Sequence, residues 1–102
     1  MIKHVILWKL KDELSAEQKE SVKQGIKAGL EGLNGVVPGL VDIRVRTNGL
    51  PTSNADVMLD STLTDAEALK AYAVHPAHVE VADTKVRPFT QIRMCLRSEE
   101  RR

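Results

Sequence analysis

A chain of 102 residues holds one small domain and not two. Apolar residues make up 42% and charged residues 28%, and the net charge of +1 is too small to point to nucleic acid or an anionic membrane as a partner. The one cysteine, Cys95, excludes an internal disulfide. Lying between Met94 and Leu96, it is expected to be a buried, inert thiol on a strand.

Ile2 to Leu10 alternates. Ile2, His4, Ile6, Trp8 and Leu10 share one face, and Lys3, Val5, Leu7 and Lys9 the other. Both faces are apolar at the centre, so the strand is expected to be covered on both sides. Ser15 with Gln18 forms a capping box. The helix that follows carries Val22, Ile26, Leu30 and Leu33 as one stripe. Gly25, Gly29 and Gly32 weaken helical propensity, and close approach of the helix to the sheet is the expected return. Asn34-Gly35 ends it.

A strand over 40–46 should turn Val41, Ile43 and Val45 inward and Asp42, Arg44 and Arg46 outward. Residues 47–54 read as a loop and 56–63 as a third strand. Thr64 and Glu67 form a second capping box, opening a helix in which Leu69 and Ala73 face inward and Tyr72 sits at the edge. His75 precedes a proline, so the helix should break there, and Pro76 suits the first position of a new one. Val79, Ala82 and Val86 are its expected buried stripe. Pro88 ends it, and residues 89–97 form the last strand.

The order β-α-β-β-α-β is the α+β, ferredoxin-like arrangement: a four-stranded antiparallel sheet with helices on one face. Residues 1–97 are expected to form the single domain, and 98–102 a frayed charged tail. The uncovered sheet face calls for a partner. Ile6 and Trp8 would otherwise lie open, so a homodimer packed through the open sheet faces is expected. The N-terminus lacks the apolar core of a secretory signal and no apolar run approaches about 20 residues. A cytoplasmic protein with no membrane partner is therefore expected.

Two of the three histidines lie in one phrase, Tyr72-Ala-Val-His75-Pro76-Ala-His78, and the third, His4, is on the first strand. With the run from His4 to Lys9, this phrase resembles the stress-responsive α/β-barrel domain (Dabb) family, including its olivetolic acid cyclase-type members, across almost the whole chain. The resemblance implies a ferredoxin-like dimer whose sheets form a common barrel. It also implies Tyr72 and His78 as a catalytic pair, with His4, Ile6, Trp8 and Phe89 around the pocket. One departure stands out: Val57 occupies a pocket position where the plant cyclases carry a histidine. The first helix also has Val22, Lys23 and Ile26 in place of their aromatic residues, so a polyketide substrate is not implied.

A neutral imidazole can take a proton from a carbon beside a carbonyl, while a phenol hydrogen-bonds the oxygen as charge builds on it. His78 would be the base and Tyr72 the donor, with no cofactor required. The alternative is that His78 and Tyr72 hydrogen-bond each other and lock the broken helix. His75 is expected either to face a ligand or, from its position before proline, to fix the joint. No cysteine pair, HExxH or acidic cluster accompanies the histidines, so no metal is expected. Two functions stay open at this point. One is a cofactor-free enzyme acting on a small carbonyl compound. The other is a non-enzymatic dimeric module that binds a small apolar ligand or simply persists under stress.

Overall fold

The alternating first stretch is realised as strand β1 (Ile2–Leu10), followed by helix α1 (Ala16–Glu31) and strands β2 (Leu40–Arg46) and β3 (Val57–Leu63). Helices α2 (Ala66–Val74) and α3 (Pro76–Val81) lead through a π turn (Ala82–Val86) and a 3-10 turn (Arg87–Phe89) into β4 (Thr90–Glu99). The computed structural model describes residues 1–100. The sheet order is β2-β3-β1-β4 with every neighbouring pair antiparallel, which is the ferredoxin-like topology.

The capping box forms as read: the Ser15 hydroxyl accepts from the Gln18 N–H, and the Gln18 side chain accepts from the Ser15 N–H. At α2 the cap is Asp65, whose carboxylate accepts from the Ala68 N–H at 2.8 Å, and not Thr64. The helix therefore starts one residue later than read, and it is turned so that a different face meets the core. Tyr72 is 1% exposed and belongs to the core, whereas Ala73 is exposed and Leu69 half-buried.

The two faces of β1 are assigned the other way round from the sequence reading. Ile6 and Trp8 lie under the protein's own helices, packed with Ile26, Leu30, Leu59 and Val86. The open face is the Val5 and Leu7 face. There Leu7 lies opposite both Met58 and Met94, Val5 opposite Leu96, and Lys9 opposite Ile92. Exposure rises from 39% at Leu7 to 66% at Met94 and 70% at Leu96, so a continuous apolar stripe crosses β1 and β4.

Other departures have local causes. The register of β2 against β3 slips between Leu40 and Asp42, and this bulge turns Val41 out to solvent. β4 runs through Ser98 and Glu99, opposite Lys3 and Ile2. Glu100 N–H donates to the Met1 carbonyl at 2.7 Å, so this part of the expected frayed tail is paired, and residues 101–102 lie outside the described residues. Cys95 is exposed rather than buried, because the helices do not reach over the edge strand β4. The α1 glycines bring that helix close to α3 rather than to the sheet: a Cβ on Gly29 would stand 2.8 Å from Val81 Cγ1.

β2 is the other edge, and α1 blunts it. Val45 N–H donates to the Glu31 carboxylate at 2.9 Å, and Lys27 Nζ donates to the Val45 carbonyl at 2.8 Å. Two side chains thus stand in for a neighbouring strand. The Val45 N–H is also the chief reason the Glu31 carboxyl titrates below its ordinary range. Among the described residues, no helix is long and apolar enough to cross a membrane.

Candidate active site

The proline dictates the joint. His75 has the extended backbone that a residue before proline prefers, φ −63° and ψ 131°, and Pro76 opens α3. The His75 ring then caps the new helix, its Nδ1 accepting from the Ala77 N–H at 3.1 Å. Of the two roles read for His75, fixing the joint is the one its ring performs.

The fold draws the other two histidines to Tyr72. β1 carries His4 on the helix-covered face, where it is 3% exposed, and the Ser61 hydroxyl across the strand pair donates to its carbonyl at 2.9 Å. The His4 and Tyr72 rings meet edge-on with centroids 6.1 Å apart. On the other side Tyr72 lies against His78, with centroids 4.2 Å apart and planes tilted by 36°.

The mutual hydrogen bond between Tyr72 and His78 is absent. The Tyr72 hydroxyl is buried without a partner, although buried phenols usually find one. His78 Nδ1 instead lies 3.2 Å from the Ala73 carbonyl. A carbonyl only accepts, so Nδ1 carries the proton and Nε2 keeps its lone pair. Burial lowers the His78 pKa, with Arg87 and Arg93 adding to the effect and the Ala73 carbonyl opposing it. Burial pushes Tyr72 up to about 12. At neutral pH the pair is thus a neutral imidazole with a free lone pair beside a protonated phenol.

His4 has the opposite tautomer. Arg97 Nε donates to His4 Nδ1 at 3.1 Å, and a guanidinium does not give up its proton. His4 is therefore neutral with its proton on Nε2. Burial first, then Arg97, Arg93 and His78, pulls its pKa down to about 4. The unfolded chain takes up this proton near pH 6.5, so between the two values the unfolded state binds more protons. The stabilisation is complete above about pH 6.5 and is lost as pH falls toward about 4, by about 3 kcal/mol in total. Urea denaturation between about pH 7 and about pH 4.5 checks this: His4→Gln should flatten the slope, and an unchanged slope would assign the acid sensitivity to other groups.

Beside this cluster, between sheet and helices, lies a cavity of about 90 Å³. Ile6, Trp8, Leu30 and Leu59 form its apolar walls, and His78, Thr90, Arg87 and Arg93 supply polar groups. Ala82 and Val86, from the π turn, close one side. Such turns recur at functional sites because the extra residue re-aims the helix. The expected pocket is not a single space. Phe89 is carried by the 3-10 turn into a separate groove of about 390 Å³ with Leu14, Val22 and Thr84. Val57 is buried on β3 opposite Trp8 and is not on the cavity lining, and of the histidine cluster His78 alone lines it, with Tyr72 and His4 packed beside.

Arg87, Thr90, Arg93 and Arg97 were missed from the sequence. The signal available was strand alternation in β4: the apolar residues Ile92, Met94 and Leu96 on one face place Arg93, Cys95 and Arg97 on the other, toward His4 and Trp8. Among the described residues, no three His, Cys, Asp or Glu side chains converge in a metal-binding arrangement.

Comparison with known proteins agrees with this architecture. Residues 2–99 match the family model of the stress-responsive A/B barrel domain. An uncharacterised protein of Streptomyces coelicolor is 30% identical over 82 residues, 76% of this chain and 79% of that protein. A dimeric ferredoxin-like protein of unknown function from Bacteroides fragilis superposes with a TM-score of 0.91 at 28% identity, over 97% of this chain and 95% of that one. A hydroxynitrile lyase from Passiflora edulis shares the fold, with a TM-score of 0.70 at 16% identity over 95% of this chain and 90% of that one. With its topology, its open sheet and a family match across nearly its whole length, the chain belongs to the stress-responsive α/β-barrel (Dabb) family.

Proposed function

We propose that this protein is a homodimeric, cofactor-free enzyme that moves a proton on a small carbonyl compound, with His78 as base and Tyr72 as oxyanion donor. The observation that carries this is the buried, unpartnered Tyr72 hydroxyl on a ring stacked against His78. A phenol held that way has its hydrogen bond free for a ligand oxygen. His78 Nε2 would take a proton from the carbon next to the carbonyl. The electron pair moves onto the carbonyl oxygen, which the Tyr72 hydroxyl meets. Return of the proton from His78 to carbon closes the cycle. Ile6 and Trp8 are assigned to the binding wall and His4 to support behind Tyr72. Val57 and Phe89 lie off the cavity lining, as do Tyr72 and His4, which adjoin it through His78, and His75 is assigned to the joint.

The test is hydrogen–deuterium exchange at the carbon between the two carbonyls of acetoacetate and of acetoacetamide, followed by NMR and normalised to the uncatalysed rate. The wild type should accelerate exchange of at least one probe, and His78→Ala should lower that acceleration by about 10²-fold or more. Acceleration unchanged in His78→Ala would refute the assignment, as would no acceleration by the wild type.

The dimer is placed on the open face, through Leu7, Met94 and Leu96 together with Ile92 and Val5. The dimeric Bacteroides fragilis relative supports self-association. By sedimentation at micromolar concentration the wild type should show twice the chain mass of 11.3 kDa. Met94→Lys puts a charge at the centre of the stripe and should give monomers. A monomeric wild type would contradict the assignment.

A further inference from the structure

The cavity that holds His78 is apolar on its sheet side but not at its lip. Arg93 lines it from β4, opposite Trp8 in the strand pair. Arg87 lines it from the 3-10 turn and is paired with Asp83. Arg93 makes no ion pair among the described residues. It also lies on the opposite face of β4 from Ile92 and Met94, so a dimer formed through the open face leaves it free.

We infer that the substrate is a short keto carboxylate, its carboxylate held by Arg93 at the lip and its carbonyl turned inward to His78, the member of the Tyr72–His78 pair that lines the cavity. This rests on the proton-transfer reading of that pair. A guanidinium offers a planar, bidentate match to a carboxylate. It is the permanently charged group on the lining that no acidic side chain engages among the described residues. The volume of about 90 Å³ is far below the roughly 300 Å³ or more of sites that enclose drug-sized ligands. Only a compact carbonyl end fits inside, with the charged end left at the opening. Thr90, also on the lining, is a further hydrogen-bonding group at that opening. A positive group near the reaction centre also favours the negative charge that develops when the carbon loses its proton.

The exchange assay separates this inference from the reading beneath it, because acetoacetate and acetoacetamide share the reacting carbon and differ in charge. Normalised to the uncatalysed rates, the wild type should favour acetoacetate by about tenfold or more. Arg93→Met, which keeps the aliphatic stem but removes the charge, should erase that preference, bringing the two normalised accelerations to within about twofold of each other. Equal acceleration of the two probes by the wild type overturns the carboxylate inference and leaves the proton-transfer reading standing. A preference that survives in Arg93→Met overturns the role of Arg93. Failure of both probes overturns the reading and the inference together. Inorganic phosphate is the remaining arm: competition with acetoacetate as strong as that of unlabelled acetate would show a general oxyanion site and overturn the choice of carboxylate.

Discussion

Tyr72→Phe is expected to leave the fold as stable as wild type, or more stable by about 1 kcal/mol, while lowering the exchange activity by about 10²- to 10³-fold. The two effects have one origin. The hydroxyl is buried without a protein partner, and an unpaired buried hydroxyl costs about 1–3 kcal/mol of desolvation. Phenylalanine keeps the ring against His4 and His78 and removes that penalty. It also removes the hydrogen bond that the proposed mechanism assigns to the ligand oxygen. Thermal unfolding and the exchange assay, run on the same preparation, check the pair of outcomes. A large loss of stability would show that the hydroxyl has a structural partner and would favour the non-enzymatic module.

Gly39→Ala should destabilise the protein by about 3 kcal/mol, lowering Tm by about 15 °C for a domain of this size. Gly39 has φ +82°, where a side chain is strained, and a Cβ there would stand 2.5 Å from the Ala68 Cβ and 3.3 Å from the Thr64 hydroxyl. The backbone strain contributes about 1–2 kcal/mol and the overlap with α2 about as much again. Gly39 also accepts from the Thr64 N–H at 3.0 Å, so the turn sets where the helix carrying Tyr72 begins. Gly35→Ala is the internal control. Its φ is +79° but nothing lies within 4 Å of the added carbon, so it should cost only the backbone part. Equal losses in the two variants would mean that α2 shifts freely and that the close contact is unimportant.

The histidine phrase says more about the candidate site than the rest of the chain says about its surroundings. Proline chemistry is local, so the break at His75 and the new start at Pro76 could be read directly, and the Ser15–Gln18 box likewise. Which face of β1 the helices cover could not be read, because Ile6 with Trp8 and Val5 with Leu7 are both apolar pairs. The answer lies in β4, where Ile92, Met94 and Leu96 are exposed beside Val5 and Leu7. The buried face of α2 is not legible because Ala66, Ala68, Ala71 and Ala73 are spread around the helix and offer little contrast. The π turn that brings Ala82 and Val86 to the cavity has no signature in residues 82–86; it forms through packing against the sheet and α1. Arg93 carries no mark in the sequence beyond its place in the alternation of β4, which a solvated arginine shares.

The central claim is that His78 is a neutral base whose Nε2 lone pair meets the ligand beside Tyr72, and nitrogen NMR of the imidazole rings tests it most directly. At about pH 7 the long-range spectra should show His78 with its proton on Nδ1 and an unprotonated Nε2. Addition of acetoacetate or acetoacetamide should move that Nε2 resonance and leave the His75 signals, which belong to the joint, in place. A His78 protonated on Nε2, or one whose nitrogens ignore both probes, would contradict the account.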